Sequence, residues 1–150
     1  AFELQMALAA RLHRPVSVHT VQCFGQLMES LSKLKKSKSG LPPTIYFHAF
    51  GGKLGTVDQL VALCGKGKRK SILYFGFAPL CNFRSPKTAE VIRKVGIARL
   101  VLETDHEDAA LVPESIQVGV ALIADALCVT EEEVIERTTE NAYNLYGLNG

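Results

Sequence analysis

The chain has 150 residues, 47% of them hydrophobic and 21% charged, which is enough for one domain with a real core and too apolar for disorder. Its 17 basic and 15 acidic residues leave a net charge of +2, so no global field draws it to nucleic acid, although charge does not exclude such a substrate. No uninterrupted run approaches the ~20 apolar residues of a membrane span, and the start has neither the basic flank nor the cleavage pattern of a signal peptide.

Residues 1–13 are rich in helix formers and read as a helix in mid-course, which predicts that sequence precedes them; Arg14-Pro15 stops the helix. Residues 16–19 alternate β-branched and small polar residues as a strand, with Ser17 and His19 on one side and Val16 and Val18 on the other. A helix is expected from about 22 to 35, with Phe24, Leu27, Met28, Leu31 and Leu34 at helical spacing. Pro42-Pro43 introduces a second strand at 44–48. Thr56 and Gln59 predict a capping box opening the next helix through Leu60, Leu63 and Cys64. A third strand falls at 72–76, and Ser85-Pro86 predicts an N-cap with proline at the first helical position. A fourth strand is expected at 100–105, then helices at about 113–127 and 130–146. Thr130 and Glu133 form the last capping box, and Gly147 stops the chain's final helix. Strands alternating with helices mean an α/β protein of parallel βαβ units, a single domain over 1–150.

His19, His48 and Asp105 each end a short apolar run, and a fourth run ends near Phe77 without a ligand; the intervals are 29, 29 and 28 residues. That is close to one strand-plus-helix unit of an eight-unit barrel, where chemistry sits at the C-terminal strand ends, so four units amount to half a barrel. Imidazole nitrogen and carboxylate oxygen suit Zn²⁺, Mn²⁺ or a related divalent ion, which activates water and polarises a phosphoryl or carbonyl oxygen. Taken singly, each residue also has a structural reading, a hydrogen-bonded strand-end histidine or a capping aspartate; three on one beat favour a site.

Glu103 shares the side of Asp105 and reads as a support for a ligand or as half of an internal ion pair. His106 is a fourth-ligand candidate, though adjacent residues usually point apart, and His13 suits the negative end of the first helix. The loop from Phe50 through Gly51, Gly52 and Lys53 to Gly55 could approach a phosphate but lacks P-loop spacing, and a plain turn is the better account. Asn82 and Arg84 could touch an anionic substrate. Lys33, Lys35, Lys36 and Lys38, like Lys66, Lys68, Arg69 and Lys70, precede strands and are expected on the opposite face as solvated charge. Cys23, Cys64, Cys81 and Cys128 form no CxxC pair and read as buried reduced thiols of an intracellular protein, cytoplasmic or nuclear.

PVSVH at 15–19, HAFGG at 48–52, LVLETD at 100–105, and TEN at 139–141 with LYG at 145–147 resemble the TatD-like deoxyribonucleases, in order and approximate spacing across nearly all of the chain. The resemblance implies the C-terminal half of a TIM-barrel metal-dependent hydrolase cleaving DNA phosphodiester bonds. It assigns His19, His48 and Asp105 as ligands of Mg, Mn or Zn, with Asp105 also catalytic. The family's N-terminal His-x-His pair and glutamate have no counterpart here. Thr20-Val21-Gln22 replaces the usual arginine after the first histidine, and His106-Glu107 replaces a small residue and proline after the aspartate. These departures predict a divergent eukaryotic-type branch and an isolated chain with little activity. They also leave a rival, a non-catalytic interaction protein, and a third reading, a hydrolase of a smaller ester or cyclic amide. Unpaired edges of a four-strand sheet would further favour self-association.

Overall fold

The computed structural model describes residues 1–67 and 70–148. Four strands rich in β-branched and aromatic residues, β1 (Val16–His19), β2 (Thr44–His48), β3 (Ile72–Phe77) and β4 (Leu100–Leu102), form one sheet in the order β1-β2-β3-β4. Every pairing is parallel, with His19 opposite His48, Phe47 opposite Phe75 and Gly76 opposite Val101. Helices α1 (Phe2–Arg11), α2 (Phe24–Lys36), α3 (Leu54–Cys64), α4 (Thr88–Val95) and α5 (Val112–Leu127) follow one another around the sheet, each against the next. The order strand, helix, parallel strand is the expected α/β architecture of barrel units.

The strand period of two divides the sheet into different faces. Val18, Ile45, Phe47, Leu73, Phe75, Phe77 and Leu100 point into the main core, where they meet Leu31, Leu60, Ile92 and Ile123. Phe47 stacks on Phe75 at 5.3 Å, and the Phe50 ring meets Phe75 edge-on at 4.9 Å. On the other face Tyr46, Tyr74 and Val101 form a smaller cluster with Leu145 of α6 (Glu131–Tyr146). Asn141 fastens α6 there by donating to the carbonyls of Ile97 and Leu100, both at 2.8 Å, so one carbonyl of the terminal strand β4 is satisfied.

Several local expectations give way to tertiary detail. α3 starts at Leu54, so Thr56 is not the cap; its hydroxyl accepts from the Lys53 N–H at 3.3 Å from inside the first turn. α4 starts at Thr88, because Ser85 first closes a turn with Lys87 and Thr88 (3.3 and 3.1 Å). β4 stops at Leu102, and Asp105 lies beyond it in the left-handed region at φ 60. A 3₁₀ turn and α5 together give 19 residues apolar enough for a membrane span by length and composition, but Glu114 and Asp125 interrupt them and Val120, Ile123 and Ala126 are buried in the core. Thr130 accepts from the Glu133 N–H at 3.2 Å, and Gly147 closes α6 at φ 66, as expected.

The four cysteines are free, yet only Cys64 is buried; Cys81 and Cys128 are exposed, contrary to the uniform burial expected from their apolar neighbours. Lys35 is also more than solvated charge, since it donates to the carbonyls of Leu63 and Lys66 at the end of α3. Lys68 and Arg69 lie outside the described residues.

Candidate active site

The parallel register brings the ends of β1 and β2 side by side, and the His19 and His48 rings lie 5.4 Å apart between centroids, tilted by 45°. Asp105 reaches His48 from the turn after β4, its Oδ1 2.9 Å from Nε2. The other ring nitrogen, Nδ1, meets Oε2 of Glu103. His48 is therefore held between two carboxylates on the face of the sheet that also carries Tyr46.

Glu103 is the centre of this arrangement. Its carboxylate accepts from the Tyr46 hydroxyl, from His48 Nδ1, and from the Ala49 N–H at 2.6 Å. Ala49 sits at φ 44, a left-handed conformation that costs a non-glycine residue energy. Gly76 stands beneath the group: a Cβ there would lie 2.6 Å from the Glu103 carboxyl and collide with the Tyr46 hydroxyl. Glycine at this position in β3 makes the network possible.

Burial opposes the positive form of His48, but the charges and hydrogen bonds of Glu103 and Asp105 outweigh it and raise its pKa above the ordinary histidine value. Burial, followed by the charge and hydrogen bond of Glu103, pushes the Tyr46 hydroxyl far up, so this residue is a fixed donor at any physiological pH.

The donor chemistry can be tested against a divalent ion. A carboxylate accepting from Nδ1–H fixes the tautomer that leaves Nε2 free as a ligand, the arrangement commonly found behind metal-bound histidines. An imidazole nitrogen and a carboxylate oxygen on one ion at about 2.1 Å stand roughly 2.9–3.4 Å apart, and His48 and Asp105 stand at 2.9 Å. This pair fits an ion in both chemistry and spacing. His19 is one ring width away, and among the described residues no group of three or more His, Cys, Asp or Glu is gathered tightly enough to hold an ion.

Other candidates fall elsewhere. His106 lines a separate hollow with Pro79, Leu111 and Glu114. Asn82 ties loops together: its Oδ1 accepts from the Ala78 N–H at 2.8 Å and its Nδ2 donates to the Phe50 carbonyl at 3.1 Å. The loop after His48 turns on the buried Phe50 ring, which a Cβ at Gly52 would strike, as a plain turn requires. Sequence reading missed Tyr46, Gly76 and Cys81; Tyr46 alone was accessible, lying two residues before His48 on a strand of period two.

Comparison with known proteins agrees with this geometry. The family model described as TatD related DNase matches residues 1–147. Cut9-interacting protein scn1 of Schizosaccharomyces pombe is 26% identical over 94% of this chain and 48% of its own length. Deoxyribonuclease TATDN3 of Homo sapiens is 29% identical over 95% of this chain and 48% of its own. The crystal structure of YjjV, a TatD homolog from Escherichia coli, superposes with a TM-score of 0.73 at 26% identity, covering 95% of this chain and 54% of that one. The chain thus spans about half the length of the relatives it matches. With parallel barrel units, paired carboxylates around His48 and a family match over almost its whole length, this chain belongs to the TatD-related DNases.

Proposed function

We propose that this chain supplies part of the active site of a metal-dependent hydrolase acting on DNA phosphodiester bonds, with His19, His48 and Asp105 as ligands of one or two Mg, Mn or Zn ions. The observation that carries the reading is His48 held between Glu103 and Asp105. Such an ion, when bound, supplies Lewis-acid polarisation of a phosphoryl oxygen and makes a water more acidic. Glu103 orients the His48 ring and keeps the proton on Nδ1. Asp105, more than a third exposed at its side chain, can take a proton at a carboxylate oxygen from the attacking water. Tyr46 and the Ala49 N–H keep Glu103 in place and take no part in bond breaking. Four free thiols support an intracellular setting.

In a protein carrying this chain within a full barrel, Asp105→Ala should abolish metal-dependent cleavage of DNA; unchanged cleavage refutes the assignment. The 150-residue chain alone should show little turnover, since its ligands come from one run of strands. A second reading, a binding protein without catalysis, is favoured by the distance of His19 from the other two residues and by the name of the relative scn1, a Cut9-interacting protein. Titration with Mn²⁺ or Zn²⁺ separates the two, because micromolar binding that depends on His19 and His48 is not expected of a protein that only docks.

A further inference from the structure

The beat of strand ends has one gap: β1 ends in His19, β2 in His48 and β4 leads to Asp105, but β3 ends at Phe77 without a donor. The structure places one there. Four residues beyond Phe77, Cys81 is exposed and its Sγ lies 3.9 Å from Asp105 Oδ2, while Oδ1 of the same carboxylate faces His48. We propose that Cys81 is a third donor, with His48 and Asp105, to a thiophilic divalent cation such as Zn²⁺, Co²⁺ or Cd²⁺. The proposal rests on the reading of His48 and Asp105 as a cation site.

The spacing supports it. On a tetrahedral zinc-like ion, sulfur and oxygen ligands stand about 3.6 Å apart and nitrogen and oxygen about 3.4 Å. The observed separations are 3.9 and 2.9 Å, so Asp105 lies between the other two donors at nearly the distances a shared ion requires. The turn that presents the thiol is fastened on two sides. Asn82 accepts from the Ala78 N–H and donates to the Phe50 carbonyl, tying the β3 loop to the loop that follows His48. The Cys81 N–H itself bonds the Ala78 carbonyl at 3.3 Å. The backbone under the sulfur is thus fixed relative to β2, while the exposed side chain is free to turn toward the ion. On coordination the thiol releases its proton to solvent and binds as thiolate. Thiolate selects soft cations and discriminates against Mg²⁺, so the cysteine would set which metal the site prefers.

The test is Co²⁺ titration of the full 150-residue chain and of Cys81→Ser, with Cys81→Ala as a second variant. The expected result is a sulfur-to-cobalt charge-transfer absorption in the near ultraviolet for the parent chain, absent in both variants, while the visible d–d bands persist. Cd²⁺ affinity should fall about tenfold or more in the variants, no less than the loss of an outer-shell partner produces, with Mn²⁺ affinity little changed. Saturating Cd²⁺ should protect Cys81 but not the exposed Cys128 from alkylation. Visible bands without charge transfer in the parent, or a charge-transfer band that survives in the variants, would overturn the role of Cys81 and leave the His48–Asp105 site standing. No cobalt spectrum in the parent chain would overturn both.

Discussion

Replacing Glu103 by glutamine changes one atom and should cost more stability than most core truncations. The Glu103 side chain is only 9% exposed and receives three donors, the Tyr46 hydroxyl, His48 Nδ1 and the Ala49 N–H. Hydrogen bonds to a charged group contribute about 1.5–3 kcal/mol each. Glutamine keeps one acceptor for Ala49 but turns an NH₂ toward both Tyr46 and His48, so two such bonds are lost, about 3–6 kcal/mol. A domain of this size has roughly 5–15 kcal/mol in all. Tyr46→Phe alone removes one bond and should cost about 1.5–3 kcal/mol. In the double variant one donor fewer faces the amide, so the combined cost should fall short of the sum by about 1 kcal/mol or more. The assay is urea unfolding at pH 7 followed by far-ultraviolet circular dichroism, since the chain has no tryptophan. Additivity within about 0.3 kcal/mol, or a Tyr46→Phe cost near zero, would refute the shared carboxylate as the centre of the site.

Ala49 at φ 44 predicts that Ala49→Gly is neutral or stabilising by up to about 1 kcal/mol, because relief of left-handed strain offsets the added chain entropy; a loss of that size in urea midpoints would contradict it. Burial pushes the Cys64 thiol up to about 11, with Lys35 opposing it only in part. The folded value lies above the unfolded one, so its contribution to stability is present below the unfolded pKa and lost as pH rises through about 11. At pH 8 Cys64 should therefore alkylate at least about 100-fold more slowly than Cys128 in the native chain, from thiolate fraction alone; equal rates, read by mass spectrometry of labelled peptides, would refute its burial.

The strands and most helices could be read directly, because apolar alternation and the spacing of Leu27, Leu31 and Leu34 are local signals. Helix starts at Thr56 and Ser85-Pro86 were misplaced for a physical reason: each has the right chemistry to cap, but tertiary contacts of the loop decide which residue enters the first turn. Thr88, for example, donates to the Asn82 carbonyl at 2.6 Å, and this bond fixes where α4 begins. His48 and Asp105 were found from strand-end position alone. Glu103 was placed on the correct side but not given its partners, because Tyr46 and Gly76 belong to other strands and only the register joins them. Cys81 escaped notice because an exposed thiol and a buried one look alike among apolar neighbours.

The same register explains why loop shape and site chemistry cannot vary separately here. The carboxylate that keeps the His48 ring turned also pins the next backbone amide, Ala49, in a conformation it would otherwise leave. Across the sheet Asp105 is reached through a second left-handed residue, two positions beyond Glu103. Two turns of unfavourable backbone thus meet on one buried side chain, and the energy that holds them comes from the bonds that orient His48. A change that loosened Glu103 would release the Ala49 turn and the imidazole together. The loop after β2 should for that reason open in the same cooperative step in which His48 loses its orientation, and before the Phe47–Phe75 core beneath it is disturbed.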